Sequence, residues 1–235
     1  MTFSWKRVNA ILQKDFKDFS RNSAVSIIIF LPIILAAIYG RMGIDSLQVH
    51  FMTINMAFAM VGTYVQCCLI AEEKEKNTLR GLMLSPASTL EILGGKSLLT
   101  FVLTIVVVFF SAYLSEYRPA SMGIVAFAII LSTLFYIGMG TLLGLVAKSV
   151  MESSVIVLPV IGVFTMGSFI TAWTEKYPIL KVAEFLPNIQ LFELAEAVEQ
   201  GAGFVQVFSE LGIIGIWIVV IFALTVVVYR KRMVD

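Results

Sequence analysis

Ionisable side chains are scarce in this sequence, and none lies near the middle of its long apolar runs. Only 14% of the 235 residues are charged and 59% are hydrophobic, giving a mean hydropathy of +0.92. A soluble domain carries about 25% charged and about 45–50% apolar residues. A soluble fold of this length has no way to hide so much apolar surface, whereas in lipid the outer face can be apolar too. The lack of charge at depth also excludes functions. Proton-coupled transporters, ion pumps and intramembrane proteases need ionisable groups inside the membrane, and a coupled carrier needs polar coordination at the midplane. The polar residues present in the runs are Asn55, Thr63, Gln66, Thr104, Thr141 and Ser168, and they read as helix–helix hydrogen bonds.

Other scarcities narrow the field further. The one histidine, His50, has no Cys, His or carboxylate at ligand spacing, so no metal site is expected. The two cysteines, Cys67 and Cys68, are adjacent within an apolar run and read as buried packing residues, not a bridge. A net charge of +1 gives no reason to expect nucleic acid as a partner. No nucleophile–base or carboxylate pair converges at one depth, so the chain is not read as an enzyme. Met1–Asn22 is charged and amphipathic and leads to no A-x-A-like site, so no cleavable signal peptide is expected.

What the sequence does have is six apolar runs. A spanning helix needs about 20 mainly apolar residues, and the candidates are 24–40, 49–71, 97–114, 122–147, 153–173 and 211–229. The first carries Pro32 and the fifth Pro159, which a membrane helix tolerates when neighbours satisfy the freed carbonyl. The fourth and fifth are rich in small residues: Gly138, a G-x-x-x-G at Gly140 and Gly144, then Gly162 and Gly167. These suit close helix contact, either within one bundle or between two copies. Lys and Arg divide thirteen to four between alternate sets of connecting segments, with both termini, 72–96 and 148–152 on the basic side. By the positive-inside rule both termini are cytoplasmic. The fold class expected is an all-α membrane protein, a single transmembrane domain of six helices, N-in and C-in.

Three segments outside the spans have character of their own. In residues 1–23, Trp5, Val8, Leu12, Phe16 and Phe19 recur at spacings of three and four, with Lys6, Gln13, Lys14, Lys17 and Asp18 mostly elsewhere on the wheel. That pattern predicts a helix lying in the membrane interface. Residues 174–210, outside the cell on this topology, are too polar to cross. Asn188 is placed to cap a helix, with Leu191, Leu194, Ala195 and Val198 on one face and Glu193, Glu196, Glu199 and Gln200 on another. Glu175, Glu184 and Glu210 add to the acidity. This is either a solvated face on an interfacial helix or an acidic exit favouring cationic cargo.

The third segment is the cytoplasmic loop 72–96. Glu72–Lys76 extends the second span, Asn77, Thr78 and Gly81 weaken the helix, and Leu79, Leu82, Met83 and Leu84 hold the chain against the membrane. A short helix then follows. Ser85 can cap it with Pro86 in its first turn, and Ser88 with Glu91 offers an alternative capping box. Gly94 and Gly95 read as its end. Such an element, parallel to the membrane, suits docking into a groove on a soluble partner.

With Glu73, Glu75, Lys76, Thr78 and Leu79, then Ser85 and Pro86, then Glu91, Ile92, Leu93, Gly95 and Lys96, this loop resembles the permeases of the type-2 ABC exporter family. The Phe185-Leu186-Pro187 run before the last span is similar as well, and the likeness covers nearly the whole chain. The resemblance implies that permeases pair, with this chain or a relative as the second copy, and bind two ATPase subunits that hold ATP and magnesium. It implies that the loop is a coupling helix, with Glu91 and the Ser85–Pro86 turn touching the ATPase. It also implies that the outer segment around Phe185 and Pro187 re-enters the membrane and helps close the exit. Gly95-Lys96-Ser97 mimics the end of a phosphate-binding loop, but Leu90 stands where the first glycine belongs, so ATP hydrolysis is expected on a separate chain. The apolar, aromatic-rich spans suit an amphiphilic substrate such as a peptide, toxin, antimicrobial or hydrophobic drug, exported across the cell membrane. A polysaccharide or lipid-linked glycan is the competing cargo, with Trp173, Tyr177 and Phe185 available to line a channel. A non-transporting sensor or immunity module is the reading from another class.

Overall fold

The computed structural model describes residues 4–76, 78, 88–167 and 178–232. Among them the ordered elements are all helical, with no strand. Asn77, Leu79–Pro86, Ser168, Trp173, Glu175 and Tyr177 lie outside the described residues.

Helix α1 is Trp5–Arg21. The first apolar run is built from α2 (Ser23–Ser26), a 3-10 turn (Ile27–Ile29) and α3 (Phe30–Arg41). Pro32 explains the change of helix type. It has no N–H to donate one turn back and its ring crowds that turn, so the backbone there tightens into 3-10 geometry. The second run is α4 (Leu47–Ala57), a π-helical segment (Phe58–Val65) and α5 (Gln66–Glu75). Then come α6 (Thr89–Leu114), α7 (Met122–Val146) and α8 (Val150–Thr165). A 3-10 stretch (Pro178–Phe185), α9 (Pro187–Glu199) and α10 (Phe208–Arg232) complete the chain.

Among the described residues, four helices are long and apolar enough to cross a membrane: Leu47–Glu75, Glu91–Leu114, Met122–Val146 and Phe208–Tyr229. Ile27–Arg41 and Val150–Thr165 are shorter apolar helices. Leu47–Glu75 is the central one, with 94% of its most apolar stretch buried inside the protein against 22% for α10. Around it, α6 packs on α1, α3 and α4, and α7 packs on α5 and α10. Outward positions on α6 and α10, such as Val102, Val106, Phe109, Ile216 and Val219, are exposed, as lipid-facing side chains must be.

The glycines explain how α7 comes so close to the central helix. A Cβ on Gly140 would lie 2.4 Å from the Thr63 carbonyl oxygen, and one on Gly144 would lie 2.7 Å from Ile70 Cβ. The G-x-x-x-G is therefore used within one bundle. At the same contact Thr63 donates to the Tyr136 carbonyl at 3.1 Å, from within the π segment. Gln66 accepts from Thr100 at 2.5 Å and donates to Thr141 at 3.0 Å, joining the central helix to α6 and α7. Thr104 instead bonds back to Thr100 in its own helix, and the Asn55 side-chain oxygen has no partner among the described residues.

Two ends of the bundle can be told apart by their contacts. At one, Asp45 and His50 pair at 3.2 Å, the His50 ring packs tilted against Tyr117, and Glu199 accepts from the Tyr117 hydroxyl and the Ala120 N–H. At the other, α1, the end of α5, the start of α6 and the α7–α8 connection meet.

Candidate functional site

The turn Glu73-Lys74-Glu75, at the end of the central helix, sends three side chains to different elements. Glu73 is buried and takes the Lys96 ammonium of α6 at 3.0 Å, together with Lys14 of α1 and the Thr78 hydroxyl. Lys74 turns to α7, where its ammonium bonds the carbonyls of Leu145 (2.7 Å) and Ala147. The last carbonyls of a helix lack partners and carry the negative end of its dipole, so a cation belongs there. Glu75 accepts from the Val150 N–H at 2.9 Å, an unpaired donor in the first turn of α8. One helical turn is thus wired to α1, α6, α7 and α8. Among the described residues Lys76 closes a local pair with Glu72, at 2.5 Å, and stays exposed.

Lys96 is the buried centre of this end, with its side chain 1% exposed. All three ammonium donors are spent, on both Asp15 oxygens at 3.1 Å and on Glu73. Burial pushes the Asp15 carboxyl above its ordinary range, with the Lys96 charge opposing. Lys14, Lys96, Asp15 and Glu73 form a cluster of two cations and two anions, which is what makes a buried charge tolerable.

Glu91 completes the docking of α1. Its carboxylate accepts from the Ser88 N–H at 2.6 Å, from the Ser4 N–H at 2.6 Å and from Arg7, whose guanidinium lies 2.9 Å away. The Ser88 hydroxyl in turn accepts from the Glu91 N–H, forming the capping box. The side chain is buried and all of these partners are within the chain. Gly94 and Gly95 do not end a short helix, because α6 runs unbroken from Thr89 to Leu114. Gly95 is where α1 comes nearest, and a Cβ there would sit 2.9 Å from Ile11 Cγ2 and 3.1 Å from the Val8 carbonyl oxygen. Ser85 and Pro86 lie outside the described residues.

The apolar stripe expected on α1 divides. Val8 and Phe19 are buried against the bundle with Asp15 between them, while Trp5 and Phe16 face outward, 72% and 55% exposed. Sequence reasoning passed over Asp15, Arg7 and Lys14 as members of this site. The signal for Asp15 was its place within the stripe of Val8, Leu12 and Phe19, where an acid needs a buried cation opposite.

At the other end, α9 has the apolar face expected of it, with Leu191, Leu194, Ala195 and Val198 all buried. Its start differs. Pro187 opens the helix after Leu186, and Asn188 is not the cap but donates to the Phe164 carbonyl at 3.1 Å, pinning α9 to the last turn of α8. The Phe185 carbonyl accepts from the Trp217 indole at 2.7 Å. Glu193 is partly buried and held by Gln190 at 2.8 Å. Burial, with Glu184, Glu210 and Glu196 nearby, raises its pKa. Glu196 and Glu199 are exposed.

Residues 20–227 match the family model described as ABC-2 family transporter protein. A comparison with curated proteins gave no match.

Proposed function

The chain belongs to the ABC-2 transporter family, and on that premise we propose that it is the permease of an ATP-driven exporter carrying amphiphilic molecules out of the cell. Membership makes it a membrane permease subunit of an ABC transporter and implies an ATPase partner and a paired permease. The finer reading is a single transmembrane domain in the cell membrane. It crosses six times with both termini inside, and ATP is hydrolysed on two copies of a separate subunit.

The observation that carries the reading is the wiring of Glu73-Lys74-Glu75. In sequence, residues 77–87 connect this turn to the Ser88–Glu91 cap. A push on that segment meets α1, α5 and α6 as one unit, held by buried ion pairs, and reaches α7 and α8 through Lys74 and Glu75. That is the mechanical arrangement needed to turn closure of an ATPase into movement of spans. In this reading Lys76, Ser85 and Pro86 face the ATPase. Glu73, Glu75, Thr78, Glu91, Gly95 and Lys96 act behind them as positioning residues.

Amphiphilic cargo follows from apolar spans without fixed charge at depth. The acidic set Glu193, Glu196 and Glu199, on the helix that Pro187 opens, suits a cargo bearing positive charge, such as a basic peptide. Purifying the tagged chain in mild detergent tests the assignment. A soluble P-loop protein recovered in equal amount is the expected result, and its absence even after cross-linking would remove the motor. Export of a cationic peptide, unchanged when the three glutamates become glutamine, would remove the acidic exit.

A further inference from the structure

The charges of α1 are sorted by side. Asp15 faces the protein, on Lys96, and Asp18 lies 3.8 Å from Lys14 on the same helix. Arg7 and Lys14 are spent on Glu91 and Glu73. Lys6, Lys17 and Arg21 are exposed and form no ion pair among the described residues. Lys6 and Lys17 are eleven residues apart, three helical turns, and Arg21 is one turn further, so the three form one stripe. Trp5 and Phe16 repeat the same eleven-residue spacing one position earlier, forming an exposed aromatic stripe alongside. Between α1 and α6 lies an open groove of about 360 Å³ lined by Trp5, Lys6, Val8, Asn9, Leu12 and Leu98.

We propose that this groove and the Lys6–Lys17–Arg21 stripe bind an anionic phospholipid of the leaflet in which α1 lies. The apolar lining of Trp5, Val8, Leu12 and Leu98 takes the acyl chain, Asn9 and Lys6 meet the headgroup at the rim, and Lys17 and Arg21 extend the basic edge to neighbouring headgroups. Charge complementarity decides between occupants. A zwitterionic headgroup leaves three cations unneutralised, whereas each cation at an anionic surface strengthens binding about fivefold. A helix already tied into the Lys96 cluster is pre-ordered, so lipid binding there does not have to order it first.

The lipid-retention assay uses the full-length chain without any ATPase, so its result is separate from the exporter reading. The protein is placed in nanodiscs of mixed phosphatidylcholine and phosphatidylglycerol, and the lipids it retains are identified by native mass spectrometry. Wild type is expected to retain phosphatidylglycerol well above its share of the mixture. Lys6→Gln, Lys17→Gln and Arg21→Gln together should return retention to the bulk ratio, while Lys6→Arg with Lys17→Arg keeps the preference. These side chains are exposed, so the variants leave the core intact. Leu98→Trp, which fills the groove, should lower retention of both lipids. Wild-type retention at the bulk ratio overturns the proposal, as does a preference that survives the triple substitution. So does displacement of the lipid by soluble glycerol phosphate, which would mark a simple anion site. Protection of the Lys6 and Lys17 amines from acylation by an added ATPase, with none by phosphatidylglycerol, assigns the stripe to a protein partner instead and overturns it too.

Discussion

Lys96 shows what a single residue can hold together. Its ammonium is buried between Asp15 of α1 and Glu73 of α5, with Lys14 balancing the charge from a more exposed position. Removing the cation leaves two carboxylates out of water with one partly solvated partner, a loss of about 3–5 kcal/mol for a broken buried pair. Lys96→Met should therefore lower the thermal midpoint of the purified protein sharply. Adding Asp15→Leu and Glu73→Leu should recover much of it, because no buried charge is then left unpaired. A Lys96→Met protein as stable as wild type would show that the cluster is not holding α1. The sequence placed Lys96 at the start of a span and went no further, because a lysine at the edge of an apolar run usually ends in water or snorkels. Its burial depends on two acids, 81 and 23 positions away in the chain, and no local pattern brings those together.

At the scale of elements, periodicity was the readable part. The buried face of α9 and the long apolar helices follow directly from spacing. The glycines were harder, because the same residue ends a helix in one setting and admits a neighbour in another. Gly95 and Gly140 belong to the second kind, since a Cβ at either meets backbone that cannot rotate away. Gly140→Ala should cost about 1–3 kcal/mol, as overpacking does. Gly162→Ala, in α8 with nothing within 4 Å of its Cβ, should be tolerated. Equal thermal midpoints for the two variants would mean that α7 does not pack on the central helix in this way. Helix α9 gives a pH prediction. Glu193 is raised by burial and by the facing acids Glu184, Glu210 and Glu196. An acid whose pKa is higher in the fold than in the unfolded chain favours the fold when protonated, so that stability is present at low pH and lost as pH rises through the folded value. Glu193→Gln, permanently neutral, should have the higher thermal midpoint at neutral pH. The gap should close as the pH falls below about 4.3, the ordinary glutamate value. A gap that does not change with pH would assign the effect to something other than this carboxyl.

For the whole molecule, the question is whether the two shorter apolar helices cross the membrane, because that decides whether the Glu73–Glu75 turn shares a face with α1. Four long helices alone would leave Gln200 on the same side as Lys148, and α1 on the same side as Arg41. Six crossings put Gln200 with Arg118 and α1 with Lys148. The contacts within the chain favour the second arrangement. Glu199 bonds Tyr117 and Ala120, and a Cβ on Gly40 would meet the Leu114 carbonyl, so these segments share one end. Asp15 meets Lys96, and Glu75 meets Val150, at the other. The basic residues agree, collecting at the end where α1 lies. Cys67 and Cys68 are buried, so the wild-type protein gives a silent background for thiol labelling. Single cysteines at Arg118 and Gln200, both exposed, should react with an impermeant maleimide on intact cells, whereas those at Gln13 and Lys148 should react only after permeabilisation. Labelling at Gln200 that follows Lys148 and not Arg118 would take α8 out of the membrane. It would then separate the α9 acids from the outer face and leave the exit proposed there without a place to open.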